Sequence, residues 1–190
     1  MYTSILISIL ATLSTTVAGP VQMRQCNAPN VNPATLALIK EFEHPVPSPK
    51  PDPIGYPTVG YGHKCTSSGC SEVPYPFPLT ETTMNQLLAS DLKNPQGTIT
   101  LRTSSDVVLN EYQYGALVSW AFNVGGGNVQ SSTLLKRLNA GEDPDTVIAE
   151  ELPKWTKGKG KTLPGLVRRR AAEISLAQRA TTVGALPACG

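Results

Sequence analysis

Ile39-Lys40-Glu41-Phe42-Glu43 closes one kind of pattern, and Thr58-Val59-Gly60-Tyr61-Gly62-His63 carries another. The first belongs to a helix, signalled by Asn32 as N-cap and Pro33 at the first helical position. Leu36, Ile39 and Phe42 recur at spacing three and give it an apolar face. Pro45 must end it, which leaves Glu43 in the last turn, where a side chain can point into a cleft. The second stretch, with Gly55, Gly60 and Gly62 among the β-favouring Tyr56, Val59 and Tyr61, reads as a small hairpin or two short strands. Between them, His44 to Pro53 alternates prolines with other residues. That forbids a helix, leaves few donors for a sheet and predicts a stiff, extended, polyproline-like arm.

Outward from this core the chain reads as helical. Lys64 to Pro78 is a proline-rich loop, and Leu79 to Leu92 is a helix capped by Thr80. Glu111 to Val124 places Leu117, Trp120, Ala121 and Val124 on one stripe and stops at Gly125-Gly126-Gly127. A helix capped by Ser131 or Ser132 runs to Leu138 or Asn139, and Asp143-Pro144 starts another that runs through Glu151. The last covers Leu163 to Arg179, after a basic turn over Thr156 to Lys161. The expected class is α+β: mostly helical, with a small β-hairpin lobe and a cleft between lobes.

Glycoside hydrolysis commonly uses two carboxyl groups that flank a cleft, one protonated to meet the leaving oxygen and one ionised. By placement the candidates are Glu43, at a helix end beside apolar Phe42, and Asp52, between two prolines near solvent. Thr58 would hold a water opposite the acid. As spacing alone, an acid pair of this kind is weak evidence, because most carboxylates are surface residues.

The whole pattern is stronger. Glu43, Asp52 nine residues later, Thr58 six beyond that, and the Thr-Val-Gly-Tyr-Gly-His run resemble the phage-type lysozymes, family 24 of the glycoside hydrolases. Ala116 to Gly125, Ser132 to Lys136 and Leu163 to Arg170 resemble further stretches of that family, in the same order. The resemblance implies a two-lobed lysozyme-like fold and a muramidase acting on bacterial peptidoglycan. It implies Glu43 as acid, Asp52 as base, nucleophile or water-positioner, and Thr58 as water-binder. Asn123 would face the cleft and bond sugar substituents, with a helix-end cap as its alternative role. Arg168 or Arg169 would approach Glu43, and Arg168 is counted with Asn123 and His63 among groups at the substrate. His63 itself reads as a hydrogen-bonded hairpin residue. Most members carry Glu-Gly and a mixed polar strand where this chain has Glu43-His44 and alternating prolines.

Residues Ile5 to Val17 are almost free of charge, and Thr16-Val17-Ala18 offers small residues, so residues 1–18 read as a secretory signal peptide. Its apolar run, Ile5 to Leu13, is too short to span about 30 Å of hydrocarbon. Residues 19–190 then form one catalytic domain, secreted and monomeric, more like exported cellular members such as fungal ones. Cys26, Cys65, Cys70 and Cys189 are an even set suited to two disulfides. Of the three possible pairings, Cys65–Cys70 with Cys26–Cys189 is favoured. A metal site from His44, His63, Cys65 and Cys70 has the wrong spacing for a zinc knuckle.

A net charge of +2, with no long basic helix or aromatic-basic platform, argues against nucleic acid as a partner. No Asn-x-Ser/Thr sequon, nucleophile elbow, Walker loop or His-Glu-x-x-His helix occurs, and no cofactor or metal is implied. The competing readings are a lytic transglycosylase, a chitinase-like enzyme and a peptidoglycan-binding protein that no longer cuts.

Overall fold

The computed structural model describes residues 27–51, 55–158 and 160–188. The signal-peptide expectation, Cys26, Cys189 and Asp52 lie outside the described residues. Helix α1 spans Pro33–Glu43, and the Asn32 side chain accepts from Thr35 N, as the cap and proline signals predict. Its buried residues are Thr35, Leu38 and Ile39, so the inner face is turned from the expected one, and Leu36 and Phe42 lie at its margins.

The proline arm is a strand. β1 (Val46–Pro51) pairs antiparallel with β2 (Pro57–Gly60), which pairs with β3 (His63–Lys64), giving the order β1-β2-β3. The expectation of a stiff polyproline-like arm with few donors for a sheet is corrected for a simple reason. The surviving N–H groups of Val46, Ser48 and Lys50 fall on alternate residues, and a strand at a sheet edge directs alternate residues to its one neighbour. Leu79 N donates to the Pro47 carbonyl across the other edge (2.7 Å).

Beyond a loop closed by the Cys65–Cys70 disulfide, the chain is helical. α2 (Glu81–Asp91) is capped by Thr80, and α3 (Lys93–Arg102) follows almost without a break. Pro95 and Gly97 hide α3 in the sequence, yet Pro95 sits in its first turn, where no intrahelical partner is lost. β4 (Leu109–Asn110) leads into α4 (Glu111–Val124), whose N-terminus is a capping box made by Asn110 and Gln113. Gly125 ends α4 at φ +83, but Gly126 and Gly127 then begin a short α5 (Gly126–Ser131) instead of prolonging the stop.

α6 (Thr133–Asn139), capped by Ser132, and α7 (Pro144–Glu151), capped by Asp143, match the cap-based reading. β5 (Lys157–Gly158) and β6 (Lys161–Thr162) form a small hairpin before α8 (Pro164–Ala177). β7 (Gly184–Leu186) returns to pair with β4, a long-range contact that no local signal announced.

α4 is the axis of the helical body. Every residue from Gln113 to Ala121 is buried, and α1, α3, α7 and α8 pack around it. Trp120, Leu117 and Tyr114 are fully enclosed, and Trp120 meets Trp155 edge to face at 5.3 Å. Each such side chain contributes roughly 1.5–3 kcal/mol by leaving water. α1 and α4 come close at Gly115, where a β-carbon would lie 2.0 Å from the hydroxyl of buried Thr35 on α1. No helix among the described residues is long and apolar enough to cross a membrane.

Gly115→Ala should therefore destabilise the protein by about 1–3 kcal/mol through overpacking, read as a lower denaturant midpoint. Adding Thr35→Ala should recover part of the loss, because it vacates the contested space.

Candidate active site

Glu43 is the last residue of α1. His44 N donates to the Lys40 carbonyl, and His44 then leaves the helix at φ +54, ψ 148, a backbone region glycine enters far more easily. The turn leaves the Glu43 side chain 20% exposed and facing a cleft. Arg169 of α8, only 4% exposed, donates from Nη1 to Glu43 Oε1 at 2.5 Å. The same guanidinium donates from Nε to Glu173 (3.2 Å) and from Nη2 to the Ser119 carbonyl (3.2 Å), and lies 5.7 Å from the Phe42 ring. Three anchors fix its position against the acid.

The hairpin closes the other side. A β-carbon on Gly62 would lie 2.7 Å from Glu43 Oε2, and Gly62 has φ +80. Both the backbone conformation and the approach to the carboxyl require glycine there.

Two open cavities meet at Glu43. One, of about 630 Å³, is lined by Gly62 and His63 of the hairpin, Asp91 and Asn94 of the α2–α3 segment, and the end of α4. The other, of about 520 Å³, is lined by Phe42, His44, Leu163, Leu166 and Arg168. Glu43 and Asn123 belong to both walls. Asn123, on the last turn of α4, accepts at Oδ1 from Arg170 Nη2 (2.6 Å), so it faces the cleft and its own carbonyl oxygen is engaged. Arg168 is exposed at the rim, while Arg169 is the arginine that reaches the acid.

Thr58 lies on β2 outside the walls of these two cavities, and its hydroxyl donates to the Lys50 carbonyl at 3.2 Å. Cys65 and Cys70 are bonded to each other, so neither is a thiolate available to a metal. His63 shares Nδ1 with both carboxylate oxygens of Asp91 (2.9 and 3.1 Å), and Nε2 lies 3.4 Å from Glu72. The bond to Asp91 raises the His63 pKa, against the opposing pull of burial, and Glu72 adds to it. Glu72 is itself held down to about 2, first by the Ser67 hydroxyl and then by Thr66 N–H.

Reasoning from sequence missed Asp91, Glu72, Arg170 and Glu173. The one available signal was the Arg168-Arg169-Arg170 run with Glu173 following at helical spacing.

Two outcomes follow. His44→Gly should raise stability by about 1 kcal/mol, measured by chemical denaturation, because the strained φ relaxes. For the His63–Asp91 pair, a histidine whose pKa is raised on folding contributes stability that is full below its unfolded value of about 6.5 and is lost as pH rises through the folded value. Asp91→Asn should therefore destabilise most at pH 5 and progressively less towards pH 9 in a series of thermal melts.

The phage lysozyme family model matches residues 40–173. An endolysin of Bacillus phage B103 is 36% identical over 154 residues, covering 77% of this chain and 53% of the relative. An endolysin of Acyrthosiphon pisum secondary endosymbiont phage 1 is 35% identical over 149 residues, covering 76% and 95%. The chain thus spans about half the length of the two Bacillus phage endolysins it matches and nearly all of the other relative. Among solved structures, the muramidase domain of SpmX from Asticaccaulis excentricus superposes with a TM-score of 0.67 at 29% identity, covering 80% of this chain and 99% of that one. A P22 lysozyme variant gives 0.67 at 28% identity, with the same coverage. The fold is the lysozyme-like α+β arrangement the sequence implied, and the chain belongs to the phage lysozyme family.

Proposed function

We propose that the protein is a lysozyme that hydrolyses the β-1,4 bond between N-acetylmuramic acid and N-acetylglucosamine in bacterial peptidoglycan. The observation that carries this reading is the position of Glu43 between two cavities, backed by a buried arginine and approached by a glycine hairpin. A glycan lying across both cavities brings a glycosidic oxygen to the carboxyl. Relatives named endolysin and muramidase domain support the same substrate class.

In this mechanism Glu43 gives its proton to the leaving oxygen, and Arg169 steadies the carboxylate that remains. Asn123, its carbonyl held by Arg170, offers its amide N–H groups to a sugar substituent. Arg168 and His63 border the bound polymer. Asp52 and Thr58 direct water to the opposite face of the sugar. Thr58 pairs across the hairpin with Lys50, two residues before Asp52 in the sequence, which supports assigning the two to one end of the same hairpin. Water attack from that face predicts inversion, with carboxyl groups about 6.5–9.5 Å apart.

The reading extends to the rest of the chain. Residues 1–18 serve as a cleaved signal peptide, and the secreted mature protein is a monomer acting on the wall. Cys26 and Cys189 form the second disulfide in this reading, which the Cys65–Cys70 bond supports.

The test is mass spectrometry of soluble fragments released from purified peptidoglycan. Reducing N-acetylmuramic ends are expected. Anhydro ends would move the protein to the transglycosylases, and wall binding without release would make it a binding protein. Glu43→Gln should lower turnover at least about 100-fold while the fold is kept. Wild-type turnover in that variant would remove Glu43 from its role.

A further inference from the structure

Below the acid lies a charged group that the mechanism above does not use. Glu173 of α8 is fully buried. Its Oε1 accepts from the Ser119 hydroxyl on α4 (2.7 Å) and from Arg169 Nε (3.2 Å), and its Oε2 lies 3.1 Å from Arg170 Nη1. The two arginines diverge from this carboxylate. Arg169 ends on Glu43, and Arg170, also buried, ends on Asn123. One buried anion thus anchors two buried cations, which meet cleft residues at two separate points.

We propose that Glu173 is a positioning residue of the hydrolytic site, a buried counter-ion that aims Arg169 at the acid and Arg170 at the sugar-facing amide. The proposal rests on the lysozyme reading of the cleft. The physical argument is one of charge and geometry. Two guanidinium groups enclosed in the interior without a counter-charge would be expelled or would turn towards the nearest anion, which is Glu43. Glu173 divides Arg169 between two carboxylates. The positive potential that Arg169 places at Glu43 is then limited.

The cost of enclosure is visible on both sides. Burial pushes the Glu173 carboxyl up, opposed by the two arginines and Ser119, and pushes the Arg170 guanidinium down to about 10. The other charged groups around Glu43 are Glu41 and His44 from its own segment, His63 and Lys64 from the hairpin, Asp91 from α2, and Arg168 at the rim. All of these lie on the cleft side, whereas Glu173 acts from the buried side.

The experiment compares pH–activity profiles, kcat and KM on soluble peptidoglycan fragments for wild type, Glu173→Gln, Glu173→Asp and Glu43→Gln. Glu173→Gln should lower kcat roughly tenfold with KM changed less than about threefold. It should also move the alkaline fall of activity about one pH unit lower, because uncompensated arginines favour the ionised acid. Glu173→Asp restores the charge and should bring that limb back while kcat stays reduced. Should Glu173→Gln not fold, Glu173→Gln/Arg170→Gln removes one charge of each sign. It should lower kcat similarly and leave the alkaline limb in place. A folded Glu173 variant with kcat and alkaline limb within twofold and 0.2 pH units of wild type would overturn the proposal. If Glu43→Gln is then inactive, only the role of Glu173 falls. If Glu43→Gln is fully active, the hydrolytic reading fails and this proposal with it.

Discussion

Where α1 crosses α4, the hydroxyl of Thr35 occupies the space that a β-carbon would take on Gly115. That contact fixes the height of α1 against the central helix, and Glu43 stands two turns further along the same rigid rod. α4 must be covered all round, because its residues from Gln113 to Ala121 are buried without a break. α8 supplies part of that cover, and in doing so brings Arg169 across to the end of α1. The geometry of the acid is thus a by-product of enclosing one apolar helix. The hairpin adds the last constraint, since only a residue without a side chain fits between it and the carboxyl.

Apart from Glu151 of α7, the buried charges among the described residues sit on a single helix. Arg169, Arg170 and Glu173 occupy adjacent turns of α8 and are all buried, while neighbouring Arg168 points to solvent. Buried ions are costly unless every one has partners, and here each reaches at least two other residues. The arrangement does little for net stability compared with an apolar replacement. It holds the side chains at the cleft in one orientation.

Much of this was legible in the chain. Asn32-Pro33 and Pro45 bracket α1 and put Glu43 at its end, and glycines interrupting β-favouring residues mark the hairpin. Caps at Thr80, Ser132 and Asp143 locate three more helices. What escaped was either masked by residue type or non-local. α3 contains Pro95 and Gly97, both usual helix breakers, and its helicity rests on packing against α4. The β4–β7 pair joins segments far apart in sequence. The approach of Arg168 or Arg169 to Glu43, across 126 residues for Arg169, was implied only by the family resemblance, and the fold selects Arg169. From sequence the basic run on α8 leaves open whether Arg168 or Arg169 meets the acid, and the surrounding helices enclose Arg169 and Arg170 and leave Arg168 outside.

The alternating prolines of β1 have an effect beyond excluding a helix. Pro47, Pro49 and Pro51 remove every second backbone donor from a strand at the margin of its sheet, and the Pro47 carbonyl is already taken by Leu79. Such a border cannot be extended by another strand, whether from an aggregating copy or from a protease that captures its substrates by pairing with extended backbone. A phage lysozyme family member built this way carries this β-edge in a form that neither self-association nor proteolytic attack can readily use.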